Sequence, residues 1–432
     1  MADSTVNWLE GDYDYIIVGA GTAGCILANR LSAHPDRRVL LLEAGGADRW
    51  IWLNIPAGYL FAIGNPRCDW MFRTQSEPGL NHRSLAYPRG KVLGGSSAIN
   101  AMICMRGQAA DYDGWRALGV EGWGWSDVLP LFKQMEDHFL GAGEHHGSGG
   151  GWRVEAPRIS WPVLDAVRAA AVQLGVPAIA DFNCGDNEGV SYFHVNQKRG
   201  RRWSAARGFL RPVRARENLR LETHATVERL IIERGAARGV QFCRDGQRFQ
   251  ARATGEVIVC AGAIGTPQLL HLSGIGPHAW LAELGIATVL DRPGVGANLQ
   301  DHLQLRAIYQ LRGVDTLNER FSSLWWRSAM VLDYALRRRG ALTMAPSQLG
   351  LFMRSDPAQS RANLQFHVQP LSLDQFGDPL HAFSAITVSA CHLRPSSRGT
   401  VRPASADPRQ PPLIAPNYLS TPEDCAVAAD AI

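Results

Sequence analysis

With 432 residues, the chain is longer than one hydrophobic core usually supports, which points to two domains. Hydrophobic residues make up 46% and charged residues 19%, a balance that excludes an intrinsically disordered chain. A net charge of +4 is too small for this size to indicate a nucleic-acid partner, and no run of 18 apolar residues supplies a membrane-spanning helix.

Residues 1–10 carry neither a basic leader region nor an apolar one, so a cytoplasmic location is expected, with peripheral membrane association left open. Residues 14–24 then read as an apolar strand running into Gly19-x-Gly21-x-x-Gly24, with a helix from near Thr22 and a second strand, Val39 to Leu42, ending on Glu43. This is the pattern of a dinucleotide site. Gly19 permits the tight turn, Gly21 lets a pyrophosphate approach the backbone beside Thr22 and Ala23, and Gly24 lets the helix pack closely on the sheet. The helix N-terminus stabilises the anion, and Glu43 is placed to accept from ribose hydroxyls. An acid at that position favours NAD or FAD over NADP, whose extra phosphate it repels.

From Glu43 to about Gly151 the sequence is rich in Gly, Trp and Pro and reads as a long irregular region that wraps a ligand or another domain. The glycine-rich tract 138–151 is its most flexible candidate loop. The adjacent His145 and His146 within it lack the spacing and the carboxylate or thiol partners of a metal site, so no metal is expected. Trp161 to Leu174 reads as an amphipathic helix. Basic clusters at 198–202 and 211–216 have no accompanying nucleic-acid motif and are expected to be a solvated face or a complement to phosphate.

The pattern changes to strands from Arg220 to Cys260, a meander returning to the parallel sheet through Val257-Ile258-Val259-Cys260. Beyond Leu303 come a helix around Trp325-Trp326 and two alternating runs, 363–367 and 385–389. Ser420 followed by Glu423 reads as a capping box, with Pro422 early in the helix and Ala426 to Ile432 continuing it. No stop signal follows, so the chain is expected to be cut there. The eight cysteines form no Cys-x-x-Cys pair and sit mostly in apolar runs, as reduced core thiols do.

Two further glycine-rich segments, Arg89-Gly90-Lys91-Val92-Leu93-Gly94-Gly95-Ser96-Ser97-Ala98-Ile99-Asn100 and Gly262 to Gly276, carry a resemblance to the glucose-methanol-choline oxidoreductases. Residues 201–207 and Asn298-Leu299-Gln300-Asp301-His302 add to it, so the likeness runs from about Asp12 to the last residue. The resemblance implies an α/β fold: a Rossmann-like FAD-binding domain (12–155 and 220–303) and an α+β substrate domain with a mostly antiparallel sheet (156–219 and 304–432). It implies FAD, with Val92, Gly95 and Asn100 around the isoalloxazine and the backbone of Val227 near adenine. Gly94, Gly95 and Ser96 suit backbone packed on a flat ring, because glycine removes bulk and short hydroxyls add donors. Some relatives tether FAD through a histidine where this chain has Ile99, so non-covalent FAD is implied.

The family's proton acceptor is a histidine in a C-terminal His-Pro or His-Trp segment, and neither occurs here. No catalytic residue is therefore assigned within the chain, and the base is expected beyond Ile432. His302 looks like part of a structural loop and His367 lies on a predicted strand, so neither matches that base. Many relatives carry Glu before a Gly-Gly-Phe; here the tract is Gln348-Leu349-Gly350-Leu351-Phe352, which weakens choline and leaves aliphatic or aromatic primary alcohols. The reading is FAD-dependent oxidation of a primary alcohol to an aldehyde, electrons passing to a quinone, another carrier or oxygen. A truncated chain of this kind is expected to be weakly active or inactive. A non-catalytic flavin-binding fragment and a hydroxynitrile lyase of the same fold are the alternatives.

Overall fold

The computed structural model describes residues 7–374 and 378–432; residues 1–6, part of the N-terminal stretch read from sequence as lacking a leader, lie outside them. Strand β1 (Tyr13–Val18) leads through Gly19 into helix α1 (Thr22–Leu31), and β2 (Val39–Leu42) follows. β2 is buried along its whole length, and β1 at Tyr13 and at Ile16, Ile17 and Val18. The region expected to be irregular contains α2 (Ala109–Ala117) and α3 (Trp125–Met135). Gly114 and Pro130 inside them obscure the helical period. Capping carries the signal instead: the side chains of Asp111 and Asp127 accept from the backbone N–H of Gln108 and Gly124 at 2.9 and 3.0 Å.

Strands β3 (Glu136–His138) and β4 (Trp152–Val154) pair with each other, and α4 (Pro162–Gln173) takes the predicted amphipathic stretch. Then come β5 (Gly189–Tyr192), β6 (Leu219–Glu222), β7 (Ala225–Glu233), β8 (Ala236–Arg244) and β9 (Gln247–Val259), and α5 (Gly262–Leu272). Further on lie β10 (Gln304–Gln310), α6 (Leu324–Arg337), β11 (Leu349–Met353), β12 (Leu364–Gln369), β13 (Ala385–His392) and α7 (Pro422–Asp430).

The first sheet has the order β7-β8-β9-β1-β2-β6, and a two-residue strand, Asn7–Trp8, runs parallel to β9. β9, β1, β2 and β6 are mutually parallel, while β7, β8 and β9 form the antiparallel meander. The second sheet, β10-β13-β12-β11-β5, is antiparallel throughout. Each sheet has its own core. Ile16, Leu40, Val240 and Phe242 sit in one; Trp161, Leu164, Val190, Leu349 and Val368 sit in another. Residues 205–213 fall within the 156–219 stretch read as the second unit, yet Ala205, Ala206, Phe209, Leu210 and Val213 pack with Ile17, Cys25 and Leu41 of the first sheet. Their apolar spacing says that they are buried and leaves open against what.

The last helix departs from its sequence reading in register. Thr421, not Ser420, is the N-cap, its Oγ1 accepting from Asp424 N at 3.2 Å. Ser420 instead bonds Ser397 Oγ, and the helix ends at Asp430 rather than running to Ile432. Asp424, 3% exposed, accepts from the backbone N–H groups of Ser396 and Ser397 and pins α7 to that loop.

The tract 138–151 is not a free loop. His146 Nδ1 lies 2.9 Å from Glu136 Oε2 and its Nε2 contacts Asp181 Oδ2, while Arg106 Nη2 lies 3.0 Å from Glu136 Oε2. Burial alone lowers an imidazole pKa; here hydrogen bonds to Asp181 and Glu136 override it and raise His146 to about 9. The carboxylate partners that the sequence did not show are thus supplied by the fold. All eight cysteines are free, but only Cys25, Cys68 and Cys391 are buried, and Cys184 and Cys425 are exposed.

Candidate functional site

Two strand-to-helix turns meet at the carboxyl ends of β1 and β9. The first is Gly19 to Thr22. Gly19 has φ +99°, and a Cβ on it would stand 2.6 Å from Cys260 O, so both conformation and space require glycine there. A Cβ on Gly24 would overlap Gly19 O, which is the close helix-to-strand packing read from the motif. Gly21 is different: nothing lies within 4 Å of the space a Cβ would take. It is the N-cap of α1, with no side-chain cap and no acid in the first turn. The second turn is Cys260 to Gly262, where α5 likewise starts without a side-chain cap or an acid. Two sets of unpaired amide N–H groups and two positive dipole ends therefore face one volume.

That volume is a cleft of about 540 Å³. Of the residues selected from sequence, Gly19, Gly21, Thr22, Ala23, Glu43, Gly95, Ser96 and Val227 line it. Gly24, Val92, Gly94 and Asn100 do not. Gly24 lies beneath the turn. Val92 is buried with Leu53, Ala98 and Ile99, and Gly94, at φ +94°, shapes the turn by donating its N–H to Ala20 O at 2.8 Å. Through that bond the two glycine segments are tied together, and a Cβ on Gly95 would stand 2.7 Å from Gly21 Cα.

Glu43 is buried at the cleft wall, 5% exposed. Its two oxygens accept from Ala20 N and Gly45 N, each at 2.8 Å. Burial raises its pKa to about 7 against the lowering effect of those amides and of Lys91. Residues not selected from sequence also line the cleft: Trp70 and Phe72, stacked 10° from parallel at 5.6 Å, Arg89, and the first turn of α5. The α5 turn had a signal. Gly262-Ala263-Ile264-Gly265 follows an apolar strand, as Gly19 to Gly24 does. Trp70 and Phe72 had none, because only the fold brings them over.

Asn100 is exposed, and its Oδ1 accepts from Met102 N and from Arg202 Nη1, each at 3.0 Å. Arg202 is 1% exposed, so the basic run 198–202 is not wholly a solvated face as expected from sequence. Burial lowers its pKa to about 9, and its Nη1 also donates to Ser97 O at 3.3 Å. In the other basic run, Arg211 pairs with Asp48 and Arg216 donates to Asn29 O and Ser32 Oγ.

Among the described residues, no histidine lines the cleft. His302 is tied through Nε2 to Leu393 O at 2.9 Å. His367, on β12, packs against the Phe193 ring, and burial with nearby His302 lowers its pKa to about 4. Gln348, in the tract that bears on choline, is 1% exposed.

The GMC oxidoreductase profile matches residues 13–304. Among curated proteins, the chain is 42% identical over 415 residues to an alcohol dehydrogenase [acceptor] of Pseudomonas putida, covering 95% of this chain and 75% of that one. It is 38% identical over 422 residues to the mitochondrial choline dehydrogenase of Mus musculus, covering 96% and 71%. Among solved structures, pyridoxine 4-oxidase from Mesorbium loti superposes with a TM-score of 0.86 at 32% identity, over 97% of this chain and 79% of that one. A formate oxidase of Aspergillus oryzae RIB40, in a study of its FAD modification, gives 0.90 at 25% identity over 100% and 80%.

Proposed function

Because the chain belongs to the GMC oxidoreductases, FAD-dependent enzymes acting on CH–OH donors, we propose that its reaction is oxidation of an aliphatic or aromatic primary alcohol to the aldehyde. The observation that carries the cofactor half of this reading is the pair of uncapped helix N-termini, α1 and α5, facing one cleft beside the open Cα of Gly21. That arrangement fits a pyrophosphate. In this reading the first turns of α1 and α5 hold the phosphates, Glu43 accepts from ribose hydroxyls, and the backbone around Val227 borders adenine. Gly95 and Ser96 give backbone and hydroxyl contacts to the flavin end, where Val92 and Gly94 support the turn from below. Bound FAD, held without a covalent tether, supplies the hydride acceptor for the alcohol carbon.

Arg202 acts as a positioning residue: it fixes Asn100 Oδ1, which leaves the Asn100 Nδ2 hydrogens for a ligand on the exposed side. In the same reading 12–155 and 220–303, with the first sheet, form the FAD domain, and 156–219 and 304–432, with the second sheet, form the substrate domain, except that residues 205–213 and Leu219 pack on the first sheet. Gln348 where a buried carboxylate would be needed weighs against choline's cation. The electron acceptor is a quinone, another carrier or oxygen, and protein so constituted is cytoplasmic or peripheral to a membrane.

A base must take the hydroxyl proton, and among the described residues no side chain lining the cleft supplies an imidazole. His367, with a pKa near 4, is a weak acceptor at neutral pH. The 432-residue chain by itself is therefore weakly active. The test is the anaerobic visible spectrum of the FAD-loaded chain with a medium-chain primary alcohol, with and without free imidazole. The expected result is slow bleaching of the oxidised flavin that free imidazole accelerates. Fast bleaching without imidazole refutes the missing base. No bleaching in either case, with the flavin still bound and reducible by dithionite, refutes alcohol oxidation and favours a non-catalytic or lyase-type flavoprotein.

A further inference from the structure

Three side chains far apart in sequence converge where the tract 138–151 begins, and none of them lines the cleft. His138 ends β3, Asp181 lies in the loop before β5, and His194 follows β5. Their ligand-capable atoms all lie within 4.8 Å of one another. His138 Nε2 stands 3.4 Å from His194 Nδ1, which in turn stands 3.5 Å from Asp181 Oδ1. Both separations exceed the ~2.7–3.2 Å of a good N–H hydrogen bond. They match the edges of a coordination tetrahedron, since ligand atoms bonded to zinc at ~2.0–2.1 Å stand ~3.3–3.4 Å apart.

We propose that His138 Nε2, His194 Nδ1 and Asp181 Oδ1 bind a divalent ion of zinc type, with water in the fourth position. The donor set of two imidazoles and one carboxylate is borderline in softness, which suits zinc over calcium or magnesium. The surrounding groups orient the ligands as metal sites require. Asp181 is held by His146 at Oδ2 and by Asn183 N at Oδ1, 3.0 Å away. The longer 3.3 Å contact of Asn183 Nδ2 to that oxygen gives way to the ion, because the same amide also donates to Cys104 O. The His138 ring is stacked on His146 at 3.7 Å. Coordination through Nε2 puts the remaining ring proton on Nδ1, and the Leu140 N–H now 3.4 Å from that atom turns aside.

Charge and access permit the ion. Glu136 and the ligand Asp181 together balance Arg106 and His146, so the site with its carboxylate ligand carries no net positive charge before the ion enters. Asp181 and His194 keep 14% and 10% of their side-chain surface, and exposed Cys184 stands beside Asp181 at 3.7 Å. Bound there, the ion cross-links the β3–β4 pair to β5 at the edge of the second sheet.

The test uses the FAD-loaded chain stripped with a chelator and titrated with Co²⁺, then with Zn²⁺ in competition. One ion per chain is expected, with the intense visible bands of tetrahedral cobalt, displaced by zinc. H138Q and H194Q are each expected to weaken binding at least ~100-fold while the flavin spectrum is unchanged. H145Q, which alters a neighbouring histidine outside the set, is expected to bind like the parent. Absence of saturable binding, octahedral weak bands, or equal affinity in H194Q overturns the proposal. Should H138Q fail to fold, the parent's cobalt spectrum and H194Q decide it, since His194 is the more exposed ligand.

Discussion

Gly21 and Gly24 stand three residues apart in one motif, and the structure assigns them opposite reasons for being glycine. In Gly24→Ala the new Cβ overlaps Gly19 O and lies 3.0 Å from Gly19 C and 3.4 Å from Ile17 Cγ2. The obstruction is backbone, which cannot rotate away, so α1 must lift off β1. Overpacking of this kind costs ~1–3 kcal/mol or more, against which alanine's better helix propensity returns ~1 kcal/mol at most. The FAD-free protein should therefore lose on the order of 2 kcal/mol and a few degrees of melting temperature. In Gly21→Ala the Cβ meets nothing within 4 Å, and φ −72° suits alanine. The FAD-free protein should lose less than ~1 kcal/mol, the cost of a poorer N-cap. The methyl group does enter the cleft, at the point where the proposed reading puts the pyrophosphate. Loss of one hydrogen bond to a charged group, ~1.5–3 kcal/mol, corresponds to a Kd raised ~10- to 100-fold. Thermal unfolding of FAD-free protein and flavin-fluorescence titration separate the two effects. Equal destabilisation of the FAD-free protein by both variants, or unchanged FAD affinity in Gly21→Ala, refutes the assignment.

Two further outcomes follow from buried carboxylates. Glu43 has its pKa raised from 4.5 to about 7 in the FAD-free fold. Its favourable contribution is thus complete below pH ~4.5 and is lost as pH rises through about 7, a difference on the order of 3 kcal/mol. Denaturant unfolding of parent and E43Q from pH 5 to 8 should diverge over that window, E43Q gaining relative stability as pH rises; parallel curves refute it. Asp424 has the opposite sign. Hydrogen bonds from Ser397 and Ser396 hold its pKa below 3.8 although burial acts the other way. Its contribution is present above pH ~3.8 and lost below it, and D424N should cost ~2–4 kcal/mol at neutral pH by weakening charge-assisted bonds that pin α7. Hydrogen exchange at Ser396 and Ser397 N–H should rise with it, and unchanged protection there refutes the anchor.

The sequence alone determined what depends on neighbours along the chain. The Gly19 to Gly24 turn, β1, β2 and their parallel pairing, the meander 220–260 and helix α4 were all legible, because period, glycine and proline act locally. Local chemistry also set the limits of that reading. Gly114 and Pro130 hid α2 and α3 although Asp111 and Asp127 cap them, and the adjacent hydroxyls led the reading to Ser420 where Thr421 is the cap of α7. Tertiary structure alone decided what depends on distance. It brought Gly94 to Ala20 and Gly95 to Gly21, turned buried Arg202 onto Asn100, closed the cleft with Trp70 and Phe72, and gave His146 its two carboxylates. His138 and His194 lie 56 residues apart, a separation with no periodicity to read, and only the pairing of β3 with β4 and the placement of β5 in the second sheet bring their rings together.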